Sequence, residues 1–340
     1  MATARSLFAP AVKEKLKARV AIDGPTGSGK TWTALQWARI LAGPTGAIGL
    51  ADTENRSAAY YAPTPGVAVE RLNWWDPPYE FGHLPWPPPY DPRALRQFIQ
   101  AAGRELGADG VLVIDSLTHF WTGEGGTLNI VDDASSRGNS FTGWKEGTPA
   151  QRDMLDAIIH APCHVIVTMR SKMEYVLVEE VKNGRKISVP TKVGMAPEQR
   201  AGVEYEFTVV ADMDLEHRLI VSKSRCDLIA DIVAPSGRSV EPAQVFAGWL
   251  DSGVERVDAE TVAMIAERFS VITDEAVRGG LKRAFIDAWT HPAELTTDRV
   301  AGALEWLDER IGRLTADDAP SEATAPDPAD STTPPDDGRS

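Results

Sequence analysis

The sequence predicts an α/β fold with a mainly parallel sheet flanked by helices, and three observations carry that prediction. Short β-branched runs at Arg19 to Asp23, Gly110 to Asp115 and His164 to Thr168 lack the alternation of half-solvated strands, so both their faces are expected to be buried. Segments with helical spacing of apolar residues separate these runs; the clearest, Thr31 to Leu41, ends near Gly43 as a C-cap. The first run stops at Gly24, where a glycine-rich turn leads straight into that helix.

The 340 residues suit one large α/β domain with an appendage. Residues 1–17 read as an N-terminal extension, 18–254 as the α/β domain, 255–315 as a helical appendage and 316–340 as a disordered tail. Ala47 to Ala51 is a second strand and Val67 to Leu72 a weaker third. Trp74 to Pro92 carries seven prolines and six aromatics. Proline lacks an amide donor, so this stretch is neither a helix nor a central strand but an ordered surface loop. Asp91 to Glu105 is a helix with Asp91 as N-cap, Thr122 to Gly147 a long loop, and Pro149 to His160 a helix. Glu174 to Lys192 reads as a hairpin turning at Asn183-Gly184, and Tyr205 to Ala211 and Arg218 to Ser222 as antiparallel edge strands. Asp258 to Phe269, Thr273 to Trp289 and Thr297 to Leu314 make the appendage helical.

Composition bounds the function. Hydrophobic residues are 43% and charged residues 25%, as in globular proteins with a sizeable core. No run approaches the length of a membrane span, and no secretory signal is read at the start. Cys163 and Cys226 have no metal-ligand spacing, which suits a reducing, cytoplasmic setting and speaks against structural zinc. The net charge is -14, with seven acids against one base from Ala316 onward. That balance argues against a protein held to duplex DNA by a broad basic face, though it leaves room for a local basic groove.

The residues Gly24-Pro25-Thr26-Gly27-Ser28-Gly29-Lys30-Thr31 fit G-x-x-x-x-G-K-[ST] at every position, with a strand before and a helix after. Glycines let the backbone curl around a phosphate, successive amides form an anion nest, and the helix N-terminus adds positive partial charge. Lys30 is expected on the β- and γ-phosphates of ATP and the Thr31 hydroxyl on Mg²⁺. Asp115, closing a buried strand, is the candidate carboxylate for the same Mg²⁺. Hydrolysis also needs a group that orients water. Asp52-Thr53-Glu54 follows the second strand, and Glu54 is the candidate base, with Asp52 the other acid to weigh.

Leu50 to Arg56 and Val113 to Leu117 resemble segments of RecA-type ATPases: the glutamate just past the second strand, and the acid-ended Walker B strand. Ile220 to Arg225 resembles the late-strand segment whose two cations reach a neighbouring subunit's ATP, which assigns that task to Lys223 and Arg225 and implies a homo-oligomer. A solvated strand edge is the competing reading. RecA proteins carry a γ-phosphate-sensing glutamine where this chain has Thr168-Met169-Arg170, so Thr168 or Arg170 would substitute. Within that class, the P-loop, Val113 to Thr118, Val167 to Val176, Lys192 to Phe207 and Val221 to Leu228 are similar to phage-encoded AAA-type ATPases related to the Sak-group single-strand annealing proteins, over about Ala18 to Val254. The resemblance implies ATP-dependent action on single-stranded DNA in a bacterial host's cytoplasm, with a single-strand-binding protein as a further partner.

Arg170, Lys172, Lys182, Arg185 and Lys186 in and before the hairpin are the candidate DNA contacts, and a solvated hairpin is the bland alternative. Trp144 and Lys145 are read as a stacking platform or as core. The aromatic, proline-rich loop is read as a lid over the ATP site, with partner binding as the alternative. Two further functions fit the same motifs: a nucleotide-switched loader with slow turnover, and, less well, a small-molecule P-loop kinase.

Overall fold

The computed structural model describes residues 11–135, 140–182, 185–257 and 259–317. The chain divides into two compact units between Gly253 and Val254. The first unit opens with β1 (Arg19–Gly24), α1 (Lys30–Ala42) and β2 (Ile48–Asp52), followed by β3 (Gly82–Pro85) and α2 (Pro92–Leu106). Then come β4 (Val111–Asp115), α3 (His119–Thr122), α4 (Thr127–Ser135) and α5 (Ser140–Ile159). The unit is completed by β5 (His164–Lys182), β6 (Arg185–Pro197), β7 (Val209–Met213), β8 (Leu219–Ser224), β9 (Val233–Ala234) and α6 (Val240–Asp251).

The strands form one sheet in the order β3-β2-β4-β5-β1-β7-β8-β9, with β6 attached to β5. From β3 to β7 every pairing is parallel; β8, β9 and β6 join antiparallel. Strand alternation sorts the core into two layers. Val20, Ile22, Leu50, Val113 and Ile166 pack with α1 and α6 on one face, while Ala21, Leu112, Ile114, Val165 and Val167 pack with α2 and α5 on the other. This is the mixed α/β sandwich expected of a P-loop nucleotide-binding core.

Several details differ from the sequence reading. Thr122 to Gly147 is not a loop but holds α4 and the start of α5. Two of its glycines are where the helices touch: a Cβ on Gly143 would lie 2.3 Å from the Val131 carbonyl, and one on Gly147 would lie 2.4 Å from Val131 Cγ2. Small residues that mimic loop composition here permit close helix packing. Val67 to Leu72 forms no strand, because β2 already pairs with β4 on one side and β3 on the other. The proline-rich stretch supplies β3 at the sheet edge, where a residue without an amide is tolerated. Its aromatics grip that edge from both sides, with Tyr79 in one core layer and Trp86 and Tyr90 against the other. Tyr205 to Glu206 belongs to a 3-10 turn ahead of β7, and α6 was not anticipated.

β5 is longer than its core segment. It pairs with β1 through Arg170 and then, from Ser171, with β6 as the outer arm of a hairpin. The Asn183-Gly184 turn and the side chains of Lys182, Arg185 and Lys186 lie outside the described residues. The second unit contains α7 (Ala259–Ser270), α8 (Glu275–Ala288) and α9 (Val300–Asp317) around Phe269, Leu281, Phe285 and Leu307. Among the described residues no helix is long and apolar enough to cross a membrane. Cys163 and Cys226 are buried free thiols.

Candidate nucleotide-binding site

The parallel strands β2, β4, β5 and β1 end at one edge of the sheet, and the loops leaving that edge build the site. Gly24 must be glycine: its φ is +152°, and a Cβ there would come within 2.4 Å of the Met213 carbonyl and 2.8 Å of Ser28 Oγ. Gly29, at φ +93°, turns the chain into the first turn of α1. The loop borders a cavity of about 580 Å³ whose lining includes Lys30, Thr31, Glu54, Asp115 and Arg170. Trp32, Tyr61, His217 and the Ser236–Gly237 turn also line it.

Lys30 and Thr31 sit at the N-terminus of α1. The Lys30 ammonium donates to the Pro25 carbonyl of its own loop at 2.9 Å. Burial pulls its pKa below the ordinary lysine value, while Asp115 and Glu54 pull it back. The Thr31 hydroxyl donates to Oδ2 of Asp115 at 2.6 Å, and the Thr168 hydroxyl donates to the other carboxylate oxygen. Thr168 is fully buried, so it braces Asp115 from behind and does not line the cavity as a nucleotide contact would. Burial raises the Asp115 pKa; the two threonine hydrogen bonds oppose this, and the charges of Glu54 and Asp52 add to it. A hydroxyl and a buried carboxylate, crowded by two further acids, are hard oxygen donors that suit Mg²⁺. Thr31 and Asp115 would hold it, directly or through water.

The structure separates the roles of the two acids after β2. Asp52 is buried: its carboxylate accepts from the amides of Glu54 (2.7 Å) and Ala58 (3.2 Å), and His83 Nε2 of β3 lies 3.0 Å away. It builds the turn. Glu54 faces the cavity, where the Ser116 hydroxyl donates to Oε1 at 3.0 Å and Arg170 forks onto both oxygens, Nε at 2.9 Å and Nη2 at 2.6 Å. Burial alone would raise the Glu54 pKa, but the hydrogen bond and charge of Arg170, with help from His119 and Ser116, hold it below the usual carboxylate range. Thr53 accepts from the Ser116 amide at 2.7 Å and touches His119 Nδ1 at 2.7 Å, which ties β2 to the end of β4. Sequence reasoning missed Ser116, Thr53 and His119; a run of polar residues directly after two strand-end acids was the available signal.

Lys223 and Arg225 are not brought to this site. In the β1-β7-β8 ladder Lys223 stands level with Ala21, and the Arg225 amide bonds the Thr208 carbonyl at the start of β7, away from the edge that carries Gly24. The Lys223 ammonium is committed to the carbonyls of Glu204, Tyr205 and Phe207 in its own chain at 2.7–3.0 Å. The bulge at Ser222 lies before both cations and leaves the spacing between them untouched. Arg225 is exposed. The proline-rich loop contributes no residue to the cavity lining, so it is an edge cover and not the expected lid.

Strand, phosphate loop, Thr31–Asp115 pair and cavity together describe a nucleotide site, and the AAA domain family model matches residues 16–230, well over half of the chain. The chain belongs to the AAA domain family. Membership of the AAA domain family makes it a nucleotide-binding ATPase by lineage, and the matched span contains Lys30, Thr31, Glu54, Asp115 and Arg170. No curated protein matches the chain.

Arg170, Lys172 and Arg200 surround the root of the hairpin. The Arg170 carbonyl accepts the Glu198 amide from the β6 side at 2.6 Å, and Lys172 is exposed two residues farther out. Trp144 is 37% exposed, backed by Trp121 with ring centroids 6.1 Å apart, and the Arg200 guanidinium lies 5.7 Å from its ring. Trp144 is therefore neither wholly core nor a bare platform.

Proposed function

We propose that the protein is a magnesium-dependent ATPase stimulated by single-stranded DNA and used in phage-type recombination or strand annealing in a bacterial cytoplasm. The observation that carries the ATPase part is the convergence of Lys30, Thr31, Asp115 and Glu54 on one cavity. Lys30 would hold phosphate charge, Thr31 and Asp115 would hold the metal, and Glu54 would orient a water and take its proton as the oxygen attacks the γ-phosphorus. The bond to the bridging oxygen breaks, and ADP leaves with the electron pair. Mg²⁺ supplies neutralisation of phosphate charge when bound.

The DNA part is supported by the position of the hairpin. Its arms spring from the strand that carries Arg170, and Lys172, Arg200 and Trp144 stand at its root, a basic and aromatic combination suited to sequence-tolerant strand binding. Assembly into a homo-oligomer with shared sites rests on Arg225, since Lys223 is engaged within its own chain. A single-strand-binding protein is a further expected partner.

A second reading, a nucleotide-switched loader with slow turnover, is favoured by one observation: both oxygens of Glu54 are occupied by Arg170. Phosphate release measured with and without single-stranded DNA separates the readings. Stimulation supports the DNA-dependent ATPase, near-zero turnover with intact ATP binding supports the loader, and a phosphorylated small-molecule acceptor would point to a kinase.

A further inference from the structure

His217 occupies a backbone position suited to glycine. It lies in the turn between β7 and β8 with φ +59°, a left-handed conformation that glycine enters freely and most side chains enter at a cost. The turn is tightly held. Asp214 Oδ1 accepts the amides of Glu216 and Arg218 at 2.9 Å, and the Asp214 carbonyl accepts the His217 amide at 3.1 Å. From there the imidazole reaches the phosphate loop, 189 positions away in the chain. A carbonyl can only accept, so Nδ1 carries a hydrogen and donates it to the Ser28 carbonyl at 3.1 Å. Ser28 is fully buried, and its amide donates to the Pro25 carbonyl at 3.3 Å. The end of β7 holds the flanks of the same loop: the Met213 carbonyl stands where Gly24 admits no Cβ, and the Thr33 hydroxyl donates to Met213 Sδ at 3.8 Å. His217 also lines the cavity that Gly29 and Lys30 line. Backbone strain retained beside a ligand cavity points to a task in binding.

We propose that His217 is a positioning residue of the phosphate loop: its N–H fixes the Ser28–Gly29 peptide so that the Gly29 amide faces the nucleotide phosphates, and the strained turn is retained to keep that bond. This rests on the ATPase reading above. A trans peptide is planar, so a Ser28 carbonyl drawn towards His217 sends the Gly29 N–H the opposite way. The same bond polarises the peptide and strengthens its N–H as a donor. The amides of such a loop serve the α- and β-phosphates, so the effect falls on ADP and ATP alike. His217 takes no part in bond making or breaking.

The test replaces His217 in two ways on the full chain and reads binding beside stability. His217→Gly relieves the backbone and removes the hydrogen bond. It should leave the thermal midpoint of the ligand-free chain unchanged or raised, because glycine is the residue this turn prefers. It should nevertheless weaken MgADP and MgATP equally, by about fivefold or more in titration calorimetry, the scale of one lost hydrogen bond. In turnover it should raise KM by a similar factor and leave kcat within about twofold, the pattern of lost uniform binding. His217→Asn tolerates the left-handed backbone and carries an N–H donor on the atom next to Cγ, where Nδ1 stands. It should bring both affinities back to within about twofold of wild type.

A His217→Gly chain that fails to fold or melts lower would make the imidazole a brace of the fold and overturn the proposal. So would a loss confined to ATP, or a His217→Asn variant that binds as weakly as His217→Gly. Wild-type protein that binds neither nucleotide would overturn both this proposal and the ATPase reading. Wild-type binding that His217→Gly leaves undisturbed overturns this one alone.

Discussion

The hydroxyl of Thr31 lies 2.6 Å from Oδ2 of Asp115, joining the first turn of α1 to the end of β4 across 84 positions of sequence. A divalent cation that takes oxygen ligands would enter at this junction. Asp115→Asn should lower ATP affinity at least tenfold in Mg²⁺, about 1.4 kcal/mol, while affinity in EDTA changes little. Lys30→Ala should weaken both. Titration calorimetry in the two buffers checks this, and an Asp115→Asn protein that keeps its Mg²⁺ dependence would remove Asp115 from the metal site.

The two acids after β2 should separate cleanly. Glu54→Gln should retain ATP binding and lower hydrolysis by about a hundredfold, the scale of losing a positioned base. Asp52→Asn should act mainly on stability, by about 1–3 kcal/mol, because its carboxylate satisfies the Glu54 and Ala58 amides and faces His83. Phosphate-release rates beside denaturant midpoints decide the matter; a larger turnover loss for Asp52→Asn would reverse the assignment.

Gly143→Ala places a methyl 2.3 Å from the Val131 carbonyl, a backbone atom that moves only with α4. It should cost about 1–3 kcal/mol as overpacking. Gly147→Ala meets the end of a side chain and should cost less. Thermal unfolding of the two variants gives the order, and equal midpoints would show that α4 and α5 separate freely.

The legible parts of this protein were those fixed by local physics. β1, β4 and the core half of β5 announced themselves because strands buried on both faces carry unbroken apolar runs. The phosphate loop did so because a tight anion nest admits few sequences. Gly143 and Gly147 misled because glycine at a helix–helix contact has the same composition as glycine in a loop. β3 hid among prolines that only an edge position tolerates. The Arg170–Glu54 fork and the engagement of Lys223 by three carbonyls could not be read in advance, since each depends on segments that meet only in the folded chain.

His164 is buried and its Nδ1 accepts the Ala18 amide at 2.9 Å, so it must stay neutral there. Burial, with the charges of Lys17 and Arg19, pulls its pKa from 6.5 to about 4. Below pH 6.5 the unfolded state takes up a proton that the folded state refuses until about pH 4. This contribution to stability is therefore complete above pH 6.5 and is lost as pH falls through that window, by about 3 kcal/mol. His164→Gln, which keeps an acceptor and cannot titrate, should flatten the fall. Denaturant midpoints at pH 4.5 and 7.5 test it; parallel curves for the two proteins would discard the assignment.

On the single-stranded DNA reading proposed above, binding should weaken with salt by about 0.7 log-log slope units for each phosphate neutralised. Replacing Lys182, Arg185 and Lys186 with glutamine should make that slope shallower without altering ADP affinity. Fluorescence anisotropy with a labelled oligothymidine over a salt series measures it. An unchanged slope takes the hairpin out of the DNA path.

β5 leaves the buried sheet as one strand and continues into the hairpin with β6, whose register shifts once between Glu174 and Tyr175. A strand rises about 3.3–3.4 Å per residue, so adding two residues to each arm would lengthen its reach by about 6.6–6.8 Å. The length of the hairpin can thus change while Arg170 stays opposite Gly24, so reach and nucleotide chemistry are set by separate parts of one strand.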